Sequence, residues 1–374
     1  MANSLLRRGN RGVVVAAGAL AVLLAAGAVP AAAAAPVHRE AQGNQGNQRH
    51  QGLDEKALRA SLAGLPDENV TGGLIRMSGS DGRWTGTAGP SVPSPDAHFR
   101  IGSITKIFTS TVVLQLAAEH RLSLDDTVQQ WLPGLLPTGY HPITVRQLLS
   151  HTSGLQIPTC AKEDVPPLEV IRSALSCGTP TEPGKVTQYN GINYFIAGLI
   201  VEKVSGHSYG HEVTARILRP LGLRDTSVPA LDDWSIPAPY TRGLVAVEGS
   251  DELKDVSVQS PYSWAEGGMI SNAPDLGRFF TALYRGRLLP PAQQRELFTL
   301  PTGVTGDKQF SYGGLQRTAL PDGTVVWGKS GSYPGYTSGV FATRDLRRVL
   351  VYSINPTGRT PELPYVMRIA DAAF

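Results

Sequence analysis

Cysteine is nearly missing from this chain. Two residues, Cys160 and Cys177, stand among 374. That excludes iron–sulfur ligation, a multi-cysteine zinc scaffold and a small fold built on a disulfide framework. Histidine is also sparse: there are eight, and none follows His211. Charged residues make up 17%, below the roughly 25% of an average globular chain. The hydrophobic content of 41% still excludes a disordered polymer. Length alone allows about two structural units, and no internal repeat is present. Acidic residues are absent from positions 1–34, where Arg7, Arg8 and Arg11 lie. With those three set aside, the 34 basic residues fall to 31, equal to the 31 acidic ones. The formal charge of +3 therefore belongs to the leader, and the remainder has no bulk attraction for nucleic acid.

The leader has the order of an export signal. Its arginines precede an apolar run from Val13 to Val29 and then small residues from Ala31 to Ala35. Residues 1–34 are read as a signal peptide cut near Ala33 or Ala34, giving a secreted protein. Gly12–Ala35 is also long enough to remain as an uncleaved anchor, but its alanine and glycine content makes it weakly hydrophobic. Gly9-Asn10 after Arg7-Arg8 does not fit twin-arginine export, and no cysteine near the cut encodes a lipid anchor. Residues 35–52, with their QGN repeat, read as a disordered linker. In an exported chain Cys160 and Cys177 can pair as a disulfide, which would stabilise by roughly 3 kcal/mol through loop closure; two free buried thiols are the alternative.

Residues 53–374 read as one domain. Leu53, Ala57, Leu58 and Leu62 recur at helical spacing, and strand candidates follow at Gly73–Ser78 and Arg83–Gly86. Residues 103–120 are apolar enough for a buried helix. Further helices are expected at 144–150, 168–175, 191–204, 209–217, 273–285 and 290–298. Near the end, Thr324–Lys329, Tyr336–Thr343 and Arg348–Ile354 read as three adjacent antiparallel strands, closed by a helix over Pro364–Phe374. Both chain ends thus supply sheet and covering helices, and the middle is mainly helical: an α+β unit with a large helical insertion.

Three short motifs carry chemistry. In Ser103-Ile104-Thr105-Lys106, the serine and lysine sit one helical turn apart and can share a face. Of eight lysines, only Lys106 has a serine three positions before it. Apolar Ile104, Ile107 and Phe108 surround it, so desolvation is expected to favour a neutral, basic amine. Tyr189-Asn190-Gly191 places a tyrosine in a turn before a helix, where it can move a proton. Lys329-Ser330-Gly331 ends a strand before a Gly/Pro turn, where a cation and a hydroxyl can hold a carboxylate. The N–H groups of Ser103 and Ser332 can form an oxyanion hole.

Each motif is common by itself, but their order and spacing resemble the penicillin-recognising serine enzymes. Within them the chain is similar to the branch of Streptomyces-type DD-carboxypeptidases, class C β-lactamases and related esterases. FRIGSITK (99–106), LLSHTSGL (148–155), NYFIAGLIVEKVSG (193–206) and EGGMISNAPDLGRF (266–279) carry the likeness. The resemblance implies a β-lactamase/transpeptidase-like fold: an antiparallel sheet flanked by helices, plus a mainly helical subdomain. It implies that Ser103 is acylated, Lys106 is its proton partner and Tyr189 passes the proton to the leaving group. Lys329 supports Tyr189 and helps hold a substrate carboxylate, with Ser330, Gly331, Ser332 and, by a looser match, Arg317 in substrate binding. No cofactor or metal is implied. The expected partner is a small peptide, ester or β-lactam bearing a carboxylate, and the expected state is a monomer.

Two positions depart from that branch. Many of its carboxypeptidases have histidine where Lys329 stands. The tyrosine motif usually reads Tyr-x-Asn, its asparagine contacting the substrate's acyl side chain, and here the third residue is Gly191. Asn190 and Asn193 are out of register with it. A weakened hold on the acyl group is expected to favour esters or thioesters over a D-Ala-D-Ala peptide. It also motivates a rival from another class, a non-catalytic cell-wall binding protein.

Three patterns are decoys. Gly206-His207-Ser208-Tyr209-Gly210 matches the nucleophile elbow of α/β-hydrolases, but no histidine lies downstream to complete that triad. It reads instead as a helix ending in a glycine cap. His207 and His211 are spaced for a metal without a pattern that completes four ligands. His151 and Ser153 are too close in sequence to face each other and read as structural.

Overall fold

The computed structural model of the protein describes residues 52–374, apart from 158, 159, 163 and 307. The leader, and the linker up to Gln51, lie outside the described residues. The described chain is built on a seven-stranded antiparallel sheet. Its strands run in the order Trp84–Ala88, Val70–Ser78, Val349–Pro356, Tyr336–Thr343, Val325–Tyr333, Gln316–Ala319 and Gln309–Phe310. The early strand Val70–Ser78 pairs with the last one, so the two ends of the chain close the sheet against each other.

Side-chain alternation along these strands divides the interior into two cores. Val349 and Val351 face one; Leu350, Tyr352 and Ile354 face the other. The smaller core is covered by the helices Glu55–Ser61 and Leu363–Ala373, through Leu58, Val366 and Ile369. The larger core lies under Ala273–Tyr284 and continues into a helical region containing Val145–Leu149, Pro167–Leu175 and Ile192–Ser205. Thr105–Ala118 runs through the middle of that region, buried from Thr105 to Leu114 on every side, as an all-round apolar helix must be. The fold is β-lactamase/transpeptidase-like, as the resemblance implied.

Local differences from the sequence reading have physical causes. Ser103 does not open the long helix. It lies in a tight turn, Gly102–Ile104, and the α-helix begins at Thr105. Gly102 has φ +47, and a Cβ there would stand 2.5 Å from the Ser332 carbonyl oxygen, so only glycine lets the two backbones meet. The strand expected to stop at Lys329 continues to Tyr333, because pairing with the next strand runs unbroken from Val326–Thr343 to Tyr333–Tyr336. Lys329 is therefore an interior strand residue. Cys160 and Cys177 form a disulfide, with Cα atoms 5.6 Å apart. At the elbow-like decoy, the helix ends at Ser205 with Gly206 left-handed at φ +74, and Ser208 caps the next helix by accepting from the His211 N–H.

Candidate active site

Where the sheet meets the helical region, three segments converge. The strand carrying Lys329 runs directly against the Ser103 turn: a Cβ at Gly331 would lie 1.9 Å from the Ile101 carbonyl oxygen and 3.1 Å from the Ser103 nitrogen. That approach is the reason for glycine after Lys329-Ser330, and it puts the Ser103 amide beside the Gly331–Ser332 backbone. Lys106, the second residue of the helix and fully buried, donates to Ser103 Oγ at 2.9 Å. The Tyr189 hydroxyl, from the loop before Ile192–Ser205, donates to the same oxygen at 2.6 Å. Lys329 is buried; its Nζ lies 4.8 Å from the centre of the Tyr189 ring and donates to the Ser330 carbonyl at 2.8 Å. The four residues singled out by their motifs are thus one cluster.

A fifth member was not expected. Glu266 sits in a short helical turn, Trp264–Gly267, held against the serine helix by the Thr109 hydroxyl, which donates to the Ala265 carbonyl at 2.7 Å. Lys106 Nζ donates to the Glu266 carbonyl oxygen at 2.7 Å and forms an ion pair with its carboxylate. With Ser103 Oγ these make three acceptors for one nitrogen, the full complement of an ammonium. Burial by itself pushes the Lys106 pKa down, but Glu266 and Tyr189 outweigh it and the net displacement is upward. The neutral amine expected from apolar surroundings is therefore corrected: Lys106 is held as a cation. The consequence passes to Tyr189. Burial opposes its ionisation, but the Lys106 and Lys329 ammonium groups prevail and its pKa lies below the ordinary phenol value. Lys329 is itself pulled down by burial.

Glu266 also accounts for Gly191. That residue has an ordinary helical φ of −63, so no strain demands glycine. A Cβ there would stand 3.0 Å from Glu266 Oε2. The empty space at 191 is where the carboxylate reaches Lys106. Both nearby asparagine side chains are engaged within the protein. Asn190 donates to the Leu155 and Gln156 carbonyls, and Asn193 is buried against Ser153 and His151. Sequence reading missed Glu266 because it lies 160 residues from Lys106. The available signal was an acidic side chain directly before Gly267-Gly268 in an otherwise apolar stretch.

His151, read as structural, braces the site. Its ring packs 4.5 Å from that of Tyr189, and its Nδ1 accepts from the Asn190 N–H at 3.2 Å. Burial first, then Lys106 and Lys329, hold its pKa well below 6.5, so it is neutral. Ser330 and Ser332 lie on the strand with Lys329, and Ser332 is exposed. Arg317 is on the neighbouring strand opposite Trp327, and among the described residues no hydrogen bond or ion pair joins it to the Ser103 cluster. The histidine pair does gain an acid: ligand atoms of His207, His211 and Glu212 lie within 4.8 Å of one another, although Glu212 already pairs with Arg216.

The family model for Beta-lactamase matches residues 58–373. The chain belongs to the Beta-lactamase family. Among the solved structures of similar fold is a D-stereospecific amidohydrolase from Streptomyces sp., 33% identical with a TM-score of 0.76, covering 86% of this chain and 98% of that one. The D-amino acid amidase of Ochrobactrum anthropi SV3, solved with D-phenylalanine, has a TM-score of 0.73, covers 85% and 98%, and at 23% identity shares the fold alone. Penicillin-binding protein 4* of Bacillus subtilis (strain 168) is 26% identical over 297 residues, 73% of this chain and 64% of that protein. This β-lactamase-family chain thus spans less than two thirds of that relative's length. It has the serine-hydrolase frame, and among its described residues no helix is long and apolar enough to cross a membrane.

Proposed function

We propose that this member of the Beta-lactamase family hydrolyses small amides or esters through a covalent acyl-Ser103. The observation that carries the reading is Tyr189 OH at 2.6 Å from a Ser103 Oγ that Lys106 also contacts. Tyr189, whose ionisation the two ammonium groups favour, takes the Ser103 proton in its phenolate form as Oγ attacks the acyl carbon. It then returns that proton to the departing amine or alcohol, and a water repeats the sequence on the acyl-enzyme. Lys106 stays charged and stabilises the phenolate and the developing alkoxide. The Ser103 and Ser332 N–H groups receive the oxyanion. Lys329, Ser330 and Gly331 face a substrate carboxylate on the leaving side, with Arg317 as a more distant contributor. Likeness to a Streptomyces amidohydrolase supports amide cleavage beside the carboxypeptidase and β-lactamase chemistries.

The assembled nucleophile favours turnover over passive cell-wall binding, since the gap at Gly191 that motivated a binder is occupied by Glu266. The Cys160–Cys177 disulfide supports an oxidising compartment and hence secretion after cleavage near residue 34. The test is acylation by a fluorescent penicillin and by p-nitrophenyl acetate. Both should label the wild-type protein and neither should label Ser103→Ala; labelling that survives the substitution overturns the reading.

A further inference from the structure

The segment from His207 to Glu212 holds two imidazoles and a carboxylate that the Ser103 cluster does not use. Local chain geometry gathers them. Gly206, left-handed at φ +74, turns the chain out of the helix Ile192–Ser205, and Ser208 caps the next one, Tyr209–Val213. His207 therefore stands just before the new helix, and His211 is its third residue, followed by Glu212. The two exposed rings stack, with 4.7 Å between centroids and 21° between planes. Ligand atoms of the three residues all lie within 4.8 Å of one another.

Glu212 is the anchor. Its side chain is only 5% exposed, against 57% for His207. A carboxylate so buried must be paired. Arg216 Nε donates to its Oε2, but the terminal nitrogens of that guanidinium go to Glu119. One arginine thus serves two carboxylates. Among the described residues, the partner left for Glu212 Oε1 is His207 Nδ1, at 3.2 Å. Zinc bonds of 2.0–2.2 Å put neighbouring ligand atoms of a tetrahedron about 3.3 Å apart. The nitrogen and the oxygen already stand at that separation. His211, whose exposed ring is free to rotate, has about 1.5 Å to close from the outer limit of 4.8 Å. Arg216 on Oε2 fixes the orientation of the carboxylate, as a partner behind a metal ligand does. Access is open: His211 and Ser208 line a surface cleft of about 460 Å³ with Glu202 and Val228.

We propose that His207, His211 and Glu212 Oε1 bind one divalent transition-metal ion of the zinc type, with water from the cleft as the fourth ligand. Two imidazoles and a carboxylate suit Zn²⁺, Ni²⁺ and Cu²⁺, whereas Mg²⁺ and Ca²⁺ take oxygen ligands. His207 coordinates through Nδ1 in the neutral tautomer that carries its proton on Nε2. The ion takes no part in acyl transfer. It staples the turn between two helices on either side of Tyr209, which is buried and packs its ring 5.2 Å from Trp264, in the turn that carries Glu266.

The experiment titrates the untagged protein with Zn²⁺, Ni²⁺ and Mg²⁺ in a calorimeter and follows Tm. Zn²⁺ and Ni²⁺ should each bind one ion per chain with Kd below about 100 µM, and Mg²⁺ should not bind. Zinc at a hundred times its Kd should raise Tm by about 4 °C or more. His211→Ala and, independently, His207→Gln replace exposed rings, and each should weaken zinc at least ~10-fold and remove the rise in Tm. Wild-type protein that binds zinc more weakly than about 1 mM, or binds Mg²⁺ equally well, overturns the inference. So does zinc affinity that survives in the variant lacking both rings, His207→Gln with His211→Ala, since the ion then sits elsewhere.

Discussion

Lys106 and Glu266 share a contact that sets the protonation of the whole cluster. The lysine is fully buried, and its three protons go to Ser103 Oγ, the Glu266 carbonyl and the Glu266 carboxylate. A buried ammonium so satisfied cannot act as the resting base. The proposed base is its neighbour, Tyr189, whose ionisation the same charge favours.

The nucleophile can be tested by mass. Ser103→Ala should abolish the adduct formed with penicillin. Lys106→Ala should slow acylation by at least ~10²-fold. Peptide mapping of the adduct checks the site; modification at Ser208 would sink the assignment.

Tyr189→Phe keeps the ring against His151 and removes only the hydroxyl. Acylation should fall by about 10²–10⁴-fold, the scale of acid–base assistance, with little change in Tm. Stopped-flow burst kinetics on an activated ester separate acylation from deacylation. A burst of wild-type rate would remove Tyr189 from the mechanism.

The pH profile should be bounded by two groups displaced in opposite directions, Tyr189 downward and Lys106 upward. Activity needs Tyr189 ionised, which occurs below the ordinary phenol value of 10.0, and Lys106 protonated, which persists above the ordinary lysine value of 10.5. Glu266 raises both groups. Glu266→Gln should therefore move both limbs of kcat/KM toward lower pH. Limbs that stay in place would show that the carboxylate does not set these charges.

His151 links the site to stability. Its folded pKa is depressed, so the unfolded chain binds a proton that the folded one refuses. The stability it contributes is present above about pH 6.5 and is lost as pH falls toward the folded value. His151→Asn tolerates the positive φ of 59 at this position. It should cost about 1–3 kcal/mol by leaving the Asn190 N–H without its acceptor, and it should flatten the fall in stability between pH 6.5 and 5. Urea titrations across that range measure both effects.

Position 191 now carries a different expectation from that of a lost asparagine. A Cβ at 191 crowds Glu266 at 3.0 Å, so Gly191→Asn alone should lower activity rather than raise it. Combined with Glu266→Ala, the asparagine finds room and recovers part of the loss on N-acylated substrates. A double-mutant cycle quantifies the coupling; strictly additive effects would mean that the two residues do not share the space.

The sequence by itself determined the elements, the two-ended sheet and which side chains, Ser103, Lys106, Tyr189 and Lys329, gather in one cluster. Those features rest on local periodicity and short motifs: apolar alternation in Val349–Pro356, Ser103 one turn from Lys106, glycine after Lys329-Ser330. Even the strand boundary at Lys329 was misjudged only because cross-strand pairing, which is non-local, carries it on to Tyr333. Tertiary structure alone decided the charge of Lys106, the role of Gly191 and the place of Glu266. Each depends on groups that the fold brings together from 75 to 160 residues apart. Local apolar neighbours argued for a neutral lysine, since burial disfavours charge. A carboxylate arriving from a distant turn reverses that balance, and no spacing along the chain announces its arrival.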